Sequence, residues 1–202
     1  MKKLITHNGS FHTDDIFAAA MLSIMMERAN EPFEIVRTRD EEIFKNATAD
    51  DYIFDVGGIY DEVGNRFDHH QVGGAGRREE EPKIEYSSFG LVWKKFGAEF
   101  CGSQEVAFAI DKKLVQPVDA IDNGFDLAEK KYSIFPYLIQ DVFSSMVPTW
   151  QEDLDVDKMF LKCVEMAKEI LLNNGTLDDL RVKTEDLLKH LQRKKNRGIS
   201  RG

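Results

Sequence analysis

Four of the five histidines fall in two short clusters, His7/His12 and His69/His70, each with aspartates beside it. The first reads His7-Asn8-Gly9-Ser10-Phe11-His12-Thr13-Asp14-Asp15, and the second Phe67-Asp68-His69-His70-Gln71. Neutral imidazoles and carboxylates suit borderline divalent ions such as manganese and zinc. Two such clusters in a chain of 202 residues point to metal-dependent hydrolysis.

Each piece alone also has a plain reading. Asp14 and Asp15 precede an apolar run and could simply serve the free N–H groups of a helix start. Asp55 closes the apolar stretch Tyr52–Val56 before Gly57-Gly58, so it is either a turn residue or a carboxylate that bridges two ions. Adjacent histidines on extended chain face opposite sides. His69 and His70 are therefore expected to divide the work, one on metal and the other toward substrate, with Asp68 orienting a ring. Asp119 and Asp122 are three apart and share a face if helical, or belong to an Asp-Asn-Gly turn. Four separate segments each offer His or Asp at an expected strand or helix end, and that joint pattern tells against coincidence.

The elements that must position these residues read as an α/β arrangement. Leu4–Thr6, Phe33–Thr38, Tyr52–Val56 and Asn65–Asp68 are expected strands. Ile16 to about Ala29, rich in Ala, Met and Leu, is expected as a buried helix. An open, mostly parallel sheet flanked by helices follows, with ligands outside the carboxyl ends of its strands. The glycine-rich stretch Gly73–Pro82 is a loop. After it the chain turns helical, from Ser87-Ser88 and over Gln104–Val118, with Asp119–Gly124 closing that helix. Further helices are expected at roughly 135–146, 155–173 and 177–195.

Composition sets the bounds. Hydrophobic residues at 42% and charged residues at 31% are ordinary for a soluble globular protein. The net charge of -9 argues against a broad nucleic-acid-binding face, although a few placed cations could still make local contacts. Cys101 and Cys163 form neither a disulfide framework nor a zinc-ribbon spacing, which suits a reducing compartment. The longest apolar stretch, Ile16–Met26, is too short to span a bilayer. A cytoplasmic protein without membrane attachment is the expectation.

The four motifs, in order, also carry a resemblance. His7…His12-Thr13-Asp14, Asp55, Asp68-His69-His70 and Asp122 look like the DHH phosphoesterase superfamily. The fuller stretches His7–Asp15, Arg66–Gln71, Tyr86–Trp93 and Asp119–Gly124 more closely resemble the Myg exonuclease family, over roughly residues 4–125. The resemblance implies a DHH-like α/β domain and 3′→5′ exonuclease activity on RNA or short oligoribonucleotides. It also implies two divalent ions. His7, His12 and Asp55 would hold one; Asp14, Asp55, His69 and Asp122 would hold the other, with Asp55 bridging. His70 would face the scissile phosphate and Asp68 would support it. Asp119 and Asp15 stay open as alternative ligands or supports. The superfamily usually has Asp where this chain has His12, which favours manganese, with zinc or cobalt behind it, over magnesium. Arg77 and Arg78 could reach substrate phosphates as bidentate donors, or could pair with Glu79–Glu81 in a solvated loop.

Two regions are expected: a metal-binding α/β domain over 1–125, and a helical region over 126–202 with a basic tail, Lys189, Arg193, Lys194, Lys195, Arg197 and Arg201. Longer members of the family it resembles have a second α/β domain after the metal domain, so short oligonucleotides are a safer expected substrate class than long polymers. The rivals are a small-molecule phosphohydrolase acting on pyrophosphate or a nucleotide, and a non-catalytic, metal-stabilised binding protein. Oligomeric state is open, a homodimer included.

Overall fold

Leu4 and Ile5 point to opposite faces of β1 (Lys2–Thr6), and both are fully buried. A strand covered on both faces needs a layer on each side of its sheet. The computed structural model describes residues 1–129, 132–149 and 155–175, and it supplies those layers unequally.

Helix α1 (Thr13–Arg28) follows the first His/Asp turn and is buried nearly all round, with no exposed surface from Ile16 to Leu22. The Asp15 Oδ1 atom accepts the His12 amide at 2.9 Å and so fixes its start. β2 (Phe33–Arg37) returns beside β1. A short helix α2 (Glu41–Lys45) is capped by Asp40, which accepts the Glu42 amide at 3.0 Å. Then come β3 (Tyr52–Phe54), β4 (Tyr60–Asp61) and β5 (Arg66–Phe67). The sheet order is β2-β1-β3-β5-β4, parallel throughout except for the β4–β5 pair. The α/β expectation and its mostly parallel sheet are thus met. Strand β4 and helix α2 were not anticipated, being only two and five residues long.

Helix α3 (Ser88–Cys101) ends at Gly102, whose φ of 65° is the left-handed cap that glycine adopts without a side-chain clash. Helix α4 (Gln104–Ile110) widens into a π-helical turn (Asp111–Val115) and narrows again as α5 (Gln116–Asp122). The helix expected over Gln104–Val118 therefore runs on to Asp122. Pro117 gives a local reason for the wide turn. Its ring cannot donate a hydrogen bond and would crowd the Lys113 carbonyl in a regular α-helix. Helices α6 (Ile139–Ser144) and α7 (Val156–Gly175) match two of the expected helical stretches. The expected helix at 177–195 and the basic tail lie outside the described residues.

Phe160, Cys163, Val164, Ala167 and Leu171 of α7 join Phe17, Phe54, Phe67 and Phe89 in one core on the first face of the sheet. Both cysteines are free and buried. On the second face, Ile5, Ile53 and Val56 are covered by Val36, Ile43, Phe44 and Ala47, with α2 the only helix contributing among the described residues. Among the described residues, no helix is long and apolar enough to cross a membrane.

Candidate metal centre

Strand ends and helix starts deliver the site. His7 follows β1, Asp14 and Asp15 open α1, Asp55 follows β3, His69 and His70 follow β5, and Asp122 closes α5. Asp55 sits in the left-handed region, with a φ of 54°. That turns the chain out of β3 and aims the carboxylate back over the strand ends.

His7 is buried. Its Nε2 lies 3.1 Å from Asp55 Oδ2 and 3.2 Å from Asp15 Oδ2. Its Nδ1 lies 3.1 Å from the Asn8 carbonyl, which requires that nitrogen to carry the hydrogen. In the neutral ring the Nε2 lone pair then faces two carboxylates, an arrangement that needs a proton or a cation between them. A metal-binding histidine held through its other nitrogen by a backbone carbonyl has this pattern. Burial alone would lower the His7 pKa, but Asp15 and Asp55 outweigh it and push it up to about 10.

His69 Nε2 lies 3.3 Å from Asp122 Oδ2, 3.4 Å from Asp55 Oδ1 and 3.9 Å from Asp14 Oδ2. It is buried, and none of these contacts has hydrogen-bond geometry. Asp14 Oδ1 is likewise buried without a hydrogen-bond partner. Two donors each about 2.1 Å from a shared ion stand roughly 3.0–3.4 Å apart at octahedral to tetrahedral angles. The His7–Asp55, His69–Asp55 and His69–Asp122 separations fall in that range. The donors form three overlapping groups: His7/His12/Asp55, Asp55/His69/His70 and His12/Asp14/Asp122. Asp55 and His12 each belong to two of them, so the groups make one continuous centre. Its imidazole and carboxylate donors suit manganese, zinc or cobalt.

Without cations this cluster is electrostatically unfavourable. Burial, reinforced by Asp55, Asp122 and Asp15, holds the Asp14 pKa well above the carboxylate range. Burial also raises Asp122, with Asp55 adding to it and His69 opposing it. Asp55 is held below the ordinary range, because His69 and His7 outweigh its burial.

Asp68 supports the second histidine. Its Oδ1 lies 2.8 Å from His70 Nδ1 and accepts the His70 amide at 3.0 Å, while Oδ2 accepts the Gly58 amide at 2.6 Å. His70 is mostly exposed, and its pKa is raised, by Asp68 first. The expectation that His69 and His70 face opposite sides fails. β5 ends at Phe67, the chain turns, and the two rings lie side by side with centroids 4.2 Å apart.

The two arginines expected near substrate are placed differently. Arg77 pairs with Glu85. Arg78 is buried and donates to both oxygens of Asp111 and, at 2.6 Å, to Asp119 Oδ2. It is thus withdrawn from solvent and committed to carboxylates. Asp119, kept open as a ligand, is spent on Arg78 and on Ser87, whose amide and hydroxyl reach its Oδ1 at 3.1 and 2.6 Å. Burial raises the Asp119 pKa to about 6 against these partners. Asp122 is the aspartate of that pair that joins the centre.

Three contributors had no clear signal in the sequence. The Ser88 amide donates to Asp14 Oδ2 at 3.3 Å, and its hydroxyl to Asp55 Oδ1 at 3.4 Å, so the start of α3 braces two carboxylates of the candidate centre. The Ser-Ser pair suggested only a helix cap. Asp111 reads as an ordinary surface residue until the π-helical turn brings it to Arg78. Arg39 lines the open side of the centre with His7, His12, Asp55, Asp68 and His70.

The family model for MYG1 exonucleases, described as "Uncharacterised protein family (UPF0160)", matches residues 3–197. The mouse MYG1 exonuclease is 34% identical over 187 residues, covering 83% of this chain and 48% of the mouse protein. The budding-yeast MYG1 protein YER156C is 32% identical over 189 residues, covering 84% and 54%. The Chlamydia trachomatis MYG1 protein is 33% identical over 167 residues, covering 82% and 51%. The chain spans about half the length of the curated relatives it matches. No solved structure matches.

Proposed function

We propose, from the premise that this chain belongs to the MYG1 exonuclease family, that it is a two-metal phosphodiesterase acting on the ends of RNA or short oligoribonucleotides. The observation that carries this reading is the His69 Nε2 atom, buried among the carboxylates of Asp14, Asp55 and Asp122 with no hydrogen bond of its own.

His7, His12 and Asp55 would hold one ion, and Asp14, Asp55, His69 and Asp122 the other, with manganese the favoured metal. Such a pair supplies a water activated near neutral pH and charge stabilisation for the attacking and leaving oxygens. The side chains supply orientation. Asn8 fixes the His7 tautomer through its carbonyl, and Ser88 fixes Asp14 and Asp55. Asp68 keeps a proton on His70 Nδ1 and raises the ring's pKa, which leaves Nε2 free to donate to a phosphate oxygen. No serine or cysteine nucleophile is required. A cut made from 3′ to 5′ is the direction carried over from the resemblance.

The test is turnover of labelled oligoribonucleotides with added manganese, for wild type and for an Asp55→Ala/His69→Ala double variant. Cleavage by wild type alone supports the reading, and equal activity in both overturns it. Pyrophosphate in parallel separates the small-molecule rival.

A further inference from the structure

Among the described residues the second face of the sheet is incompletely covered, and the opening lies next to the metal centre. A cavity of about 610 Å³ is lined by Phe44, Ile53, Val56 and Ile59, with Arg39, Lys45 and Arg66 and one carboxylate, Glu41, completing its wall. That volume is within the range of small-molecule sites, roughly 300–1,000 Å³. Arg39, Val56 and Gly57 line this cavity and also the open side of the metal centre, where His7, His12, Asp55 and His70 stand. The two hollows are therefore neighbours that share a wall.

The rim is chemically specific. Arg39 is exposed and forms no hydrogen bond or ion pair among the described residues. Arg66 donates to the main-chain carbonyls of Asp51, Gly64 and Ala47 and pairs with no carboxylate among the described residues. Lys45 is compensated by Glu42 and by Glu41, which lines the same cavity. In a chain of net charge -9, Arg39 and Arg66, without a carboxylate partner among the described residues and beside an apolar hollow, mark a place for an anion attached to a flat apolar group.

We infer that this cavity is a nucleoside subsite: it takes the base and sugar of the nucleotide whose phosphate lies at the metal centre, with Arg39 contacting that phosphate from the shared wall. The inference rests on the phosphodiesterase reading and deepens it, naming a nucleotide rather than a bare phosphoester as the unit recognised. Apolar walls without paired donors favour any base over a particular one, as stacking surfaces do.

Binding of adenosine 5′-monophosphate and of ribose 5-phosphate to the manganese-loaded protein, followed by calorimetry, tests it without turnover. The base is expected to improve affinity by about tenfold or more. Ile59→Glu, at a position 57% exposed, is expected to abolish that advantage, whereas Val63→Glu, at a position 91% exposed and outside the cavity, is expected to keep it. Equal affinities in wild type, or an undiminished advantage in Ile59→Glu, would overturn the subsite. So would light scattering showing that wild type self-associates through this face and that Ile59→Glu separates the copies. Absence of oligoribonucleotide cleavage by wild type would refute the phosphodiesterase reading instead, and the titration would still decide the cavity.

Discussion

The guanidinium of Arg78 and the carboxylate of Asp119 meet at 2.6 Å in the interior, 41 residues apart in sequence. Asp119 then holds Ser87, and the next residue, Ser88, holds Asp14 and Asp55. A buried polar path thus runs from the glycine-rich loop to the carboxylates of the candidate centre.

Removing the cation from that path leaves Asp111 and Asp119 buried without their partner. Arg78→Met is expected to cost about 3–5 kcal/mol in urea unfolding. Arg78→Lys is expected to recover only part of this, because a lysine cannot span both carboxylates in the arginine's forked geometry. A loss below about 1 kcal/mol for Arg78→Met would show that the network does not hold the fold together.

Gly90 lies under the same carboxylate. A Cβ at this position would stand 2.3–2.7 Å from the carboxyl atoms of Asp119. Gly90→Ala is therefore expected to push Asp119 off Ser87 and to destabilise by about 1–3 kcal/mol, the range for overpacking a filled interior. Chemical denaturation measures it. A neutral or stabilising alanine would mean that α3 can shift freely.

The parts of the site that the sequence made legible were those where residue type and element end coincide. His7, Asp55, His69 and Asp122 sit at or just past the end of an element and Asp14 at the start of one, so their convergence could be read from the order of strands and helices. The Arg78–Asp111 pair could not be read this way. It spans 33 residues and depends on a π-helical turn that has no reliable pattern of its own. The side-by-side placement of His69 and His70 was missed because alternation applies only while a strand continues, and β5 stops at Phe67. Arg39 belongs to no motif. Only its position on a shared wall gives it meaning.

Acid sensitivity is expected at Asp51, remote from the metal centre. Burial works against its ionisation, but the Thr48 and Lys3 amides and the Thr48 hydroxyl donate to it at 2.8–2.9 Å and hold its pKa below the ordinary 3.8. The unfolded chain takes up a proton at 3.8 that folded Asp51 refuses until lower pH. Its contribution is thus complete above about pH 4 and is lost as the pH falls through the depressed folded value. Asp51→Ala is expected to cost about 2–3 kcal/mol at neutral pH, by leaving two amides unpaired. The gap between the wild-type and Asp51→Asn unfolding curves should narrow below pH 4. A constant gap would exclude the ionised form as the source.

Divalent metal should stabilise the fold as well as enable chemistry, because four carboxylates, Asp14, Asp15, Asp55 and Asp122, crowd one buried region. Manganese at a hundred times its dissociation constant is expected to add about 2.7 kcal/mol. This would appear as a rise in Tm that a chelator reverses and that His69→Ala removes. An unchanged Tm across manganese, zinc and cobalt would exclude tight binding.

Asp55 pairs its place in the centre with a left-handed backbone that a glycine would adopt freely. Aspartate tolerates that conformation better than most residues, yet still gives up about 1 kcal/mol relative to glycine. Asp55→Gly would relax the turn and relieve Asp14, Asp15 and Asp122, while it removed the carboxylate that pairs with His7 and His69 and the shared ligand with it. At this position backbone ease and activity pull in opposite directions, and a residue chosen for backbone ease alone would be chosen against the chemistry.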